Sequence, residues 1–216
     1  MSEKTDLVDY YAKRANEYER IYQKPERQKD LASLRKLFRQ TLARHDVLEI
    51  ACGTGYWTQI IAETAKSITA TDINDEVLQV ARAKKYAGNV SLKKTDAFDL
   101  FFPKNDFTAG LAAAWWSHLR KAQIRDFLAR FHRVFPAGST IVFMDNRFVP
   151  GSNTPITRTD AEGNTYQLRK LENGDEHEVL KNFPGEDEVR AFIADSAAEI
   201  SWTELQYYWF LTYKLK

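Results

Sequence analysis

Residues 47–59 read V-L-E-I-A-C-G-T-G-Y-W-T-Q: an apolar run, a turn of Gly53, Thr54 and Gly55, then a segment of helical character. Glycines in such a turn take conformations that a side chain forbids, so a ligand can lie directly against main-chain atoms. Carboxylates end the next two apolar runs, Asp72 in T-A-T-D-I-N and Asp96 in K-K-T-D-A-F-D. A carboxylate offers only acceptors and therefore suits hydroxyl donors. Residues 112–119 read A-A-A-W-W-S-H-L, with Trp115 and Trp116 as candidate walls or core aromatics, one of each being the favoured division, and His118 as the side chain whose intrinsic pKa best fits proton transfer.

These groups need a scaffold. Short apolar runs predict strands at 46–51, 67–71, 90–93, 107–113 and 139–145, alternating with helices at about 56–65, 75–86 and 121–134. Such alternation predicts right-handed crossovers and a largely parallel sheet with helices on both faces. Ahead of it, apolar residues at helical intervals (Leu7, Tyr10, Tyr11, Tyr18 and Ile21, then Leu31, Leu34, Leu37, Phe38 and Leu42) predict two helices broken near Pro25. Asn173-Gly174 between two strand-like runs predicts a hairpin, expected over the sheet's edge. A helix at 186–196 and two closing strands follow, antiparallel because too few residues separate them for a crossover. The chain thus reads as one domain, 1–216: a helical cap (1–45), a ligand-binding core (46–145), a loop and hairpin cap (146–185), and a C-terminal helix with a strand pair (186–216).

Composition narrows the classes. The 216 residues are 44% hydrophobic and 28% charged, with a formal net charge of +1, so disorder is not indicated and the basic excess of a nucleic-acid surface is missing. Cys52 is the only cysteine, which excludes an internal disulfide and a Cys-rich zinc site and fits a reducing compartment. The N-terminus lacks the apolar core of a signal peptide, and the longest apolar or glycine run, Gly110 to Trp116, falls far short of the roughly 20 residues of a membrane span. A cytoplasmic protein is expected, its oligomeric state left open.

The dinucleotide fingerprint requires a third glycine three residues after Gly55, where Thr58 stands, and this argues against a nicotinamide-dependent oxidoreductase. The stretch resembles motif I of the class I S-adenosylmethionine-dependent methyltransferases, V-L-(D/E)-x-G-x-G-x-G, with Ala51 replacing its first glycine. Asp72 and Asp96 fall where that family places its next two motifs. The resemblance covers residues 46–145 and, at the level of topology, the last 30. It implies an α/β fold with a Rossmann-like seven-stranded, mostly parallel sheet, an antiparallel last strand, helices on both faces and a small cap.

The cofactor implied is S-adenosylmethionine. The resemblance assigns Ala51, Gly53 and Gly55 to the turn, Glu49 to the methionine amino group, Asp72 with Ile73 to the ribose, and Asp96, Ala97 and Phe98 to adenine. Trp57 and Ala114 join this surface, and Tyr11 lies on an N-terminal helix that closes over the cofactor in many small-molecule members. Trp57 and the tyrosine pair have packing as their alternative role.

Methyl transfer needs mainly alignment and exclusion of water, so few catalytic residues are expected. After the fourth strand there is neither the (D/N)-P-P-(Y/F) sequence of enzymes that methylate exocyclic amines nor a Pro-Cys nucleophile. This favours an oxygen or nitrogen of a small-molecule acceptor over nucleic acid. His118 is the candidate base, with a helix-start cap as its other reading, and Trp115 the catalytic wall. Trp116, Asn146, Arg147 and Tyr166 are the acceptor-side candidates, with His177 beside them. Asp145-Asn146 resembles the pair of metal-dependent catechol-type members, but Ala and Trp stand where a further aspartate belongs, so no metal is expected. A noncatalytic S-adenosylmethionine-binding regulator is the alternative outside enzymology.

Overall fold

Strand β1 (Asp46–Ile50) alternates its side chains between two apolar layers, as a strand buried on both faces must. Leu48 and Ile50 enter one layer and Val47 the other. The computed structural model describes residues 3–216, with side chains from Leu7 onward; the first two residues of the 1–45 cap lie outside the described residues.

Strands β2 (Ser67–Asp72), β3 (Val90–Lys94), β4 (Ala109–Ala113) and β5 (Thr140–Asn146) occupy the expected runs. The later strands that join this sheet are β9 (Ala197–Glu204) and β10 (Tyr208–Leu215), and the spatial order is β3-β2-β1-β4-β5-β10-β9. β1 through β5 pair in parallel, while β10 runs antiparallel to β5 and to β9. The chain leaves β1 in one direction and returns to β4 on its other side. At such a reversal the connections after the two strands diverge and open a crevice at their carboxyl ends.

Helices α3 (Tyr56–Ile61), α4 (Asp75–Arg82) and α5 (Ile124–His132) are shorter than expected. Where α4 ends, the Tyr86 hydroxyl turns back and donates to the Ala81 carbonyl, which also accepts from the Lys84 N–H of the closing turn. Residues Lys121–Gln123 form a separate 3-10 turn before α5. Phe127 and Phe131 of α5, with Val189 and Ile193 of α6 (Glu186–Ile193), cover one face, and Leu31, Leu34 and Phe38 of α2 (Gln28–Thr41) cover the other. Each such fully buried side chain contributes about 1.5–3 kcal/mol relative to exposure.

The cap comprises α1 (Glu3–Arg14), 3-10 turns at Tyr18–Gln23 and Pro25–Arg27, and a separate three-stranded sheet. That sheet is β6 (Arg158–Thr159), which was not expected, with β7 (Thr165–Lys170) and β8 (Glu176–Leu180) joined at Asn173-Gly174. Its position corrects the sequence reading. It does not lie over an edge: Lys181 and Asn182, just after β8, bond to Asp145 and to the Ser117 carbonyl at the carboxyl ends of β5 and β4, in the middle of the large sheet. Tyr10, Leu171 and Val179 form a small apolar cluster that seats α1 on this roof.

Candidate active site

Three residues in and beside the turn after β1 hold left-handed backbone, Ala51 (φ 49°), Gly53 (φ 56°) and Gly55 (φ 75°). The two glycines do different work. A Cβ at Gly53 would meet no atom within 4 Å, so its bared main chain faces the cleft; a Cβ at Gly55 would lie 2.5 Å from Tyr86 Oη, so Gly55 is needed for packing. Ala51 is strained, because left-handed backbone pushes its Cβ toward the following carbonyl. The left-handed turn itself explains why the family pattern has glycine at this position.

Asp72 closes the floor. Its Oδ2 accepts from Gly53 N–H and its Oδ1 from Asn74 N–H, each at 2.9 Å. Burial pushes its pKa up, while these bonds oppose the rise. A carboxylate has about four lone-pair positions, so roughly two remain for a ligand's hydroxyl donors. Ile73, Asp96, Ala97 and Trp115 continue the same cavity, and Leu7, Val8 and Tyr11 of α1 roof it. An open glycine, a half-used carboxylate and an apolar slot fit the ribose and adenine of S-adenosylmethionine.

A second cavity of about 270 Å³ adjoins the first, and Tyr11, Tyr18, Ala114 and His118 line both. Six cations line it, Arg14, Lys24, Arg27, Arg169, Lys170 and Lys181, against one acid, Glu17. Lys181 Nζ lies 3.0 Å from Asp145 Oδ1 and 2.5 Å from Ser117 Oγ, and burial lowers its pKa against the pull of Asp145. Asp145 also accepts from the main chain of Ser117 and Asn146, which commits it to structure. Arg169 bonds neutral partners, Gln167 Oε1 and Tyr11 Oη, and among the described residues no carboxylate pairs with it, with Arg14 or with Arg27.

His118 joins the cavities. Its Nδ1 lies 2.8 Å from the Leu180 carbonyl and its Nε2 2.7 Å from Tyr11 Oη. Burial, then the charges of Lys181 and Arg169, holds its pKa well below the usual histidine range. The ring is neutral and both nitrogens are engaged, so a base acting directly on an acceptor is not what the geometry offers.

Of the expected residues, Tyr11, Ala51, Gly53, Asp72, Ile73, Asp96, Ala97, Ala114, Trp115 and His118 come together at the first cavity, and Asn146 at the second. Others depart from their expected places. Trp57 packs on Phe38 and Tyr22 in the core; Phe98 lies behind Trp115 and against Phe127. Trp116 is buried among Phe143, Phe192 and Trp209, since its neighbour Trp115 already takes the cleft side. Arg147 is drawn away by Glu204 and the Leu205 carbonyl. The Tyr166 hydroxyl donates to Asp160, with the Arg158 guanidinium over its ring. The His177 ring packs near Tyr10. Glu49 is 1% exposed, accepts from Thr58 Oγ1 at 2.7 Å, and burial, aided by the charge of Asp72 and opposed by the Thr58 bond, pushes its pKa up to about 8. The six cations were missed; a trace exists in Q-L-R of β7, where polar Gln167 and Arg169 take the inward positions around an exposed Leu168.

The switch-point crevice, with its bared turn and carboxylate, defines a nucleotide-binding α/β site, and comparison with known proteins is more specific. Residues 47–138 match the family described as a methyltransferase domain. The demethylmenaquinone methyltransferase of Tropheryma whipplei (strain Twist) is 33% identical over 101 residues, 46% of this chain and 41% of that protein. The malonyl-[acyl-carrier protein] O-methyltransferase of Hamiltonella defensa subsp. Acyrthosiphon pisum (strain 5AT) is 26% identical over 141 residues, 65% of this chain and 52% of that protein. This chain therefore spans about half the length of these curated relatives. The structure of a DhpI-SAH complex is 25% identical, with a TM-score of 0.76, over 98% of this chain and 96% of that one. The chain is therefore similar to the class I S-adenosylmethionine-dependent methyltransferases, in sequence over residues 47–138 and in fold over nearly its whole length. S-adenosylmethionine is the cosubstrate of that family. Among the described residues no helix is long and apolar enough to cross a membrane.

Proposed function

We propose that the chain transfers the methyl group of S-adenosylmethionine to an oxygen of a small anionic acceptor, giving a methyl ester. One observation carries this reading: a cavity of about 270 Å³ lined by six cations and one acid adjoins the cofactor cleft and shares Tyr11, Tyr18, Ala114 and His118 with it. An acceptor oxyanion would be held by Arg169 and Lys181, whose donors match it in charge and hydrogen bonding. The size of the cavity favours a compact metabolite over the quinone or carrier-protein acceptors named for the curated relatives.

S-adenosylmethionine supplies a methyl carbon bonded to a positively charged sulfur, so an oxyanion lone pair forms the C–O bond while the C–S pair leaves onto sulfur. No proton has to move. The neutral, doubly engaged His118 agrees with that requirement. Asp72 and the Gly53 main chain would hold the nucleoside, while α1 excludes water from above.

The test is release of S-adenosylhomocysteine from S-adenosylmethionine across a panel of small carboxylates, phosphonates and phosphate monoesters, alongside neutral phenols and amines. Turnover restricted to anions is expected, with Arg169→Gln raising KM for the acceptor by about tenfold or more. Turnover of neutral acceptors alone would overturn the reading.

A further inference from the structure

Four side chains, Tyr11, Tyr18, Ala114 and His118, form the junction of the two cavities, and two protons there are assignable from geometry. The Leu180 carbonyl can only accept, so its 2.8 Å contact places the ring proton of His118 on Nδ1. Nε2 is then a bare acceptor, and the Tyr11 hydroxyl 2.7 Å away must donate to it. That hydroxyl has one proton. With the proton turned into the protein, the oxygen presents its lone pairs outward, and Arg169 Nη1, 3.5 Å away, takes at most one of them.

We infer that His118 is a positioning residue that acts through Tyr11, keeping an electron-rich oxygen between the two cavities so that this point favours a sulfonium over a neutral thioether. The inference deepens the proposed function and rests on it. The same oxygen repels an acceptor anion and leaves it to Arg169 and Lys181, so the junction sorts the two ligands by charge. A charged imidazolium would donate from both nitrogens and turn the hydroxyl around. Burial and the charges of Lys181 and Arg169 prevent this by keeping the ring neutral. Carbon-bound hydrogens beside a sulfonium are weak donors, and an oxygen without a proton of its own to offer is their natural partner.

Two measurements test the inference without turnover. In ¹⁵N-histidine-labelled protein free of ligand, His118 should show a protonated Nδ1 and a hydrogen-bonded acceptor Nε2 throughout about pH 6–8, with Nε2 shifted in Tyr11→Phe. In calorimetric titrations, Tyr11→Phe should weaken S-adenosylmethionine about threefold or more while leaving S-adenosylhomocysteine nearly unchanged. His118→Gln, whose amide oxygen can still accept from Tyr11, should retain most of the discrimination, and His118→Leu should lose it. An Nε2-protonated ring, or equal weakening of both ligands by Tyr11→Phe, overturns the inference. Wild-type protein that binds neither ligand would overturn the methyltransferase reading itself, and this inference with it.

Discussion

Lys181 Nζ and Asp145 Oδ1 lie 3.0 Å apart, with 4% and 0% of their side chains exposed, and the pair ties the roof over the cleft to the carboxyl end of β5. Removing one partner leaves a buried charge without its counterion, which costs about 3 kcal/mol or more. Lys181→Met should therefore destabilise the chain strongly in urea denaturation. The Asp145→Asn, Lys181→Met double variant should lose less than the two single losses combined, by at least about 1 kcal/mol. Additive losses would show that the two charges do not depend on each other.

The two glycines of the turn should fail in different assays. Gly53→Ala places its methyl group in open cleft, so folding should lose only about 1–2 kcal/mol from left-handed strain while S-adenosylhomocysteine affinity falls about tenfold. Gly55→Ala drives its methyl group toward Tyr86 Oη and should add about 1–3 kcal/mol of overpacking. Tyr86→Phe should relieve part of that cost. Denaturation and calorimetric titration on the same preparations separate the two roles, and equal folding losses would contradict them.

Ala51 carries strain that glycine would not. Ala51→Gly exchanges about 1–2 kcal/mol of left-handed strain for about 0.4–1 kcal/mol of added unfolded-state entropy. A gain of up to about 1.5 kcal/mol is expected, seen as a rise in Tm at about 2–4 °C per kcal/mol. A lower Tm would mean that the turn relaxes when the methyl group is gone.

Glu49 makes stability depend on pH in a definite direction. Its folded pKa of about 8 stands above the unfolded value of about 4.3, so between those values the unfolded chain has released a proton that the folded chain keeps. Stability contributed at this site is highest below about pH 4 and declines as pH rises toward 8. Glu49→Gln removes the penalty while keeping an acceptor for Thr58, and should stabilise by on the order of 2–3 kcal/mol at pH 8 but by little at pH 4.5. Parallel denaturation curves at the two pH values decide it; a gain independent of pH would assign the effect to packing.

The cofactor half was legible because strict local rules write it. Five apolar runs of strand length, a Gly53-Thr54-Gly55 turn and carboxylates at Asp72 and Asp96 each depend on neighbouring residues. The acceptor half depends on tertiary placement. Arg14 and Arg27 come from the N-terminal segments and Arg169 and Lys181 from the hairpin, and no spacing rule joins residues some 155 positions apart, as the Arg14–Arg169 numbering requires. Asp145 resembled one half of a metal-dependent pair in sequence, and no local signal joined it to its partner Lys181. Trp115 and Trp116 illustrate the same limit, since adjacent aromatics divide between cleft and core according to elements that pack on them later in the chain.

Helix α1 is fastened to three distant parts of the chain: Asn74 Nδ2 donates to the Val8 carbonyl, Tyr11 to His118, and Lys13 pairs with Asp175. Because this one helix lines both cavities, the docked state of the helix is shared by both ligands. Whatever factor cofactor binding adds to acceptor affinity, acceptor binding must add to cofactor affinity, since a coupling free energy between two equilibria is reciprocal. On the proposed reaction, α1 covers both products, so its undocking and their release are linked in the same way.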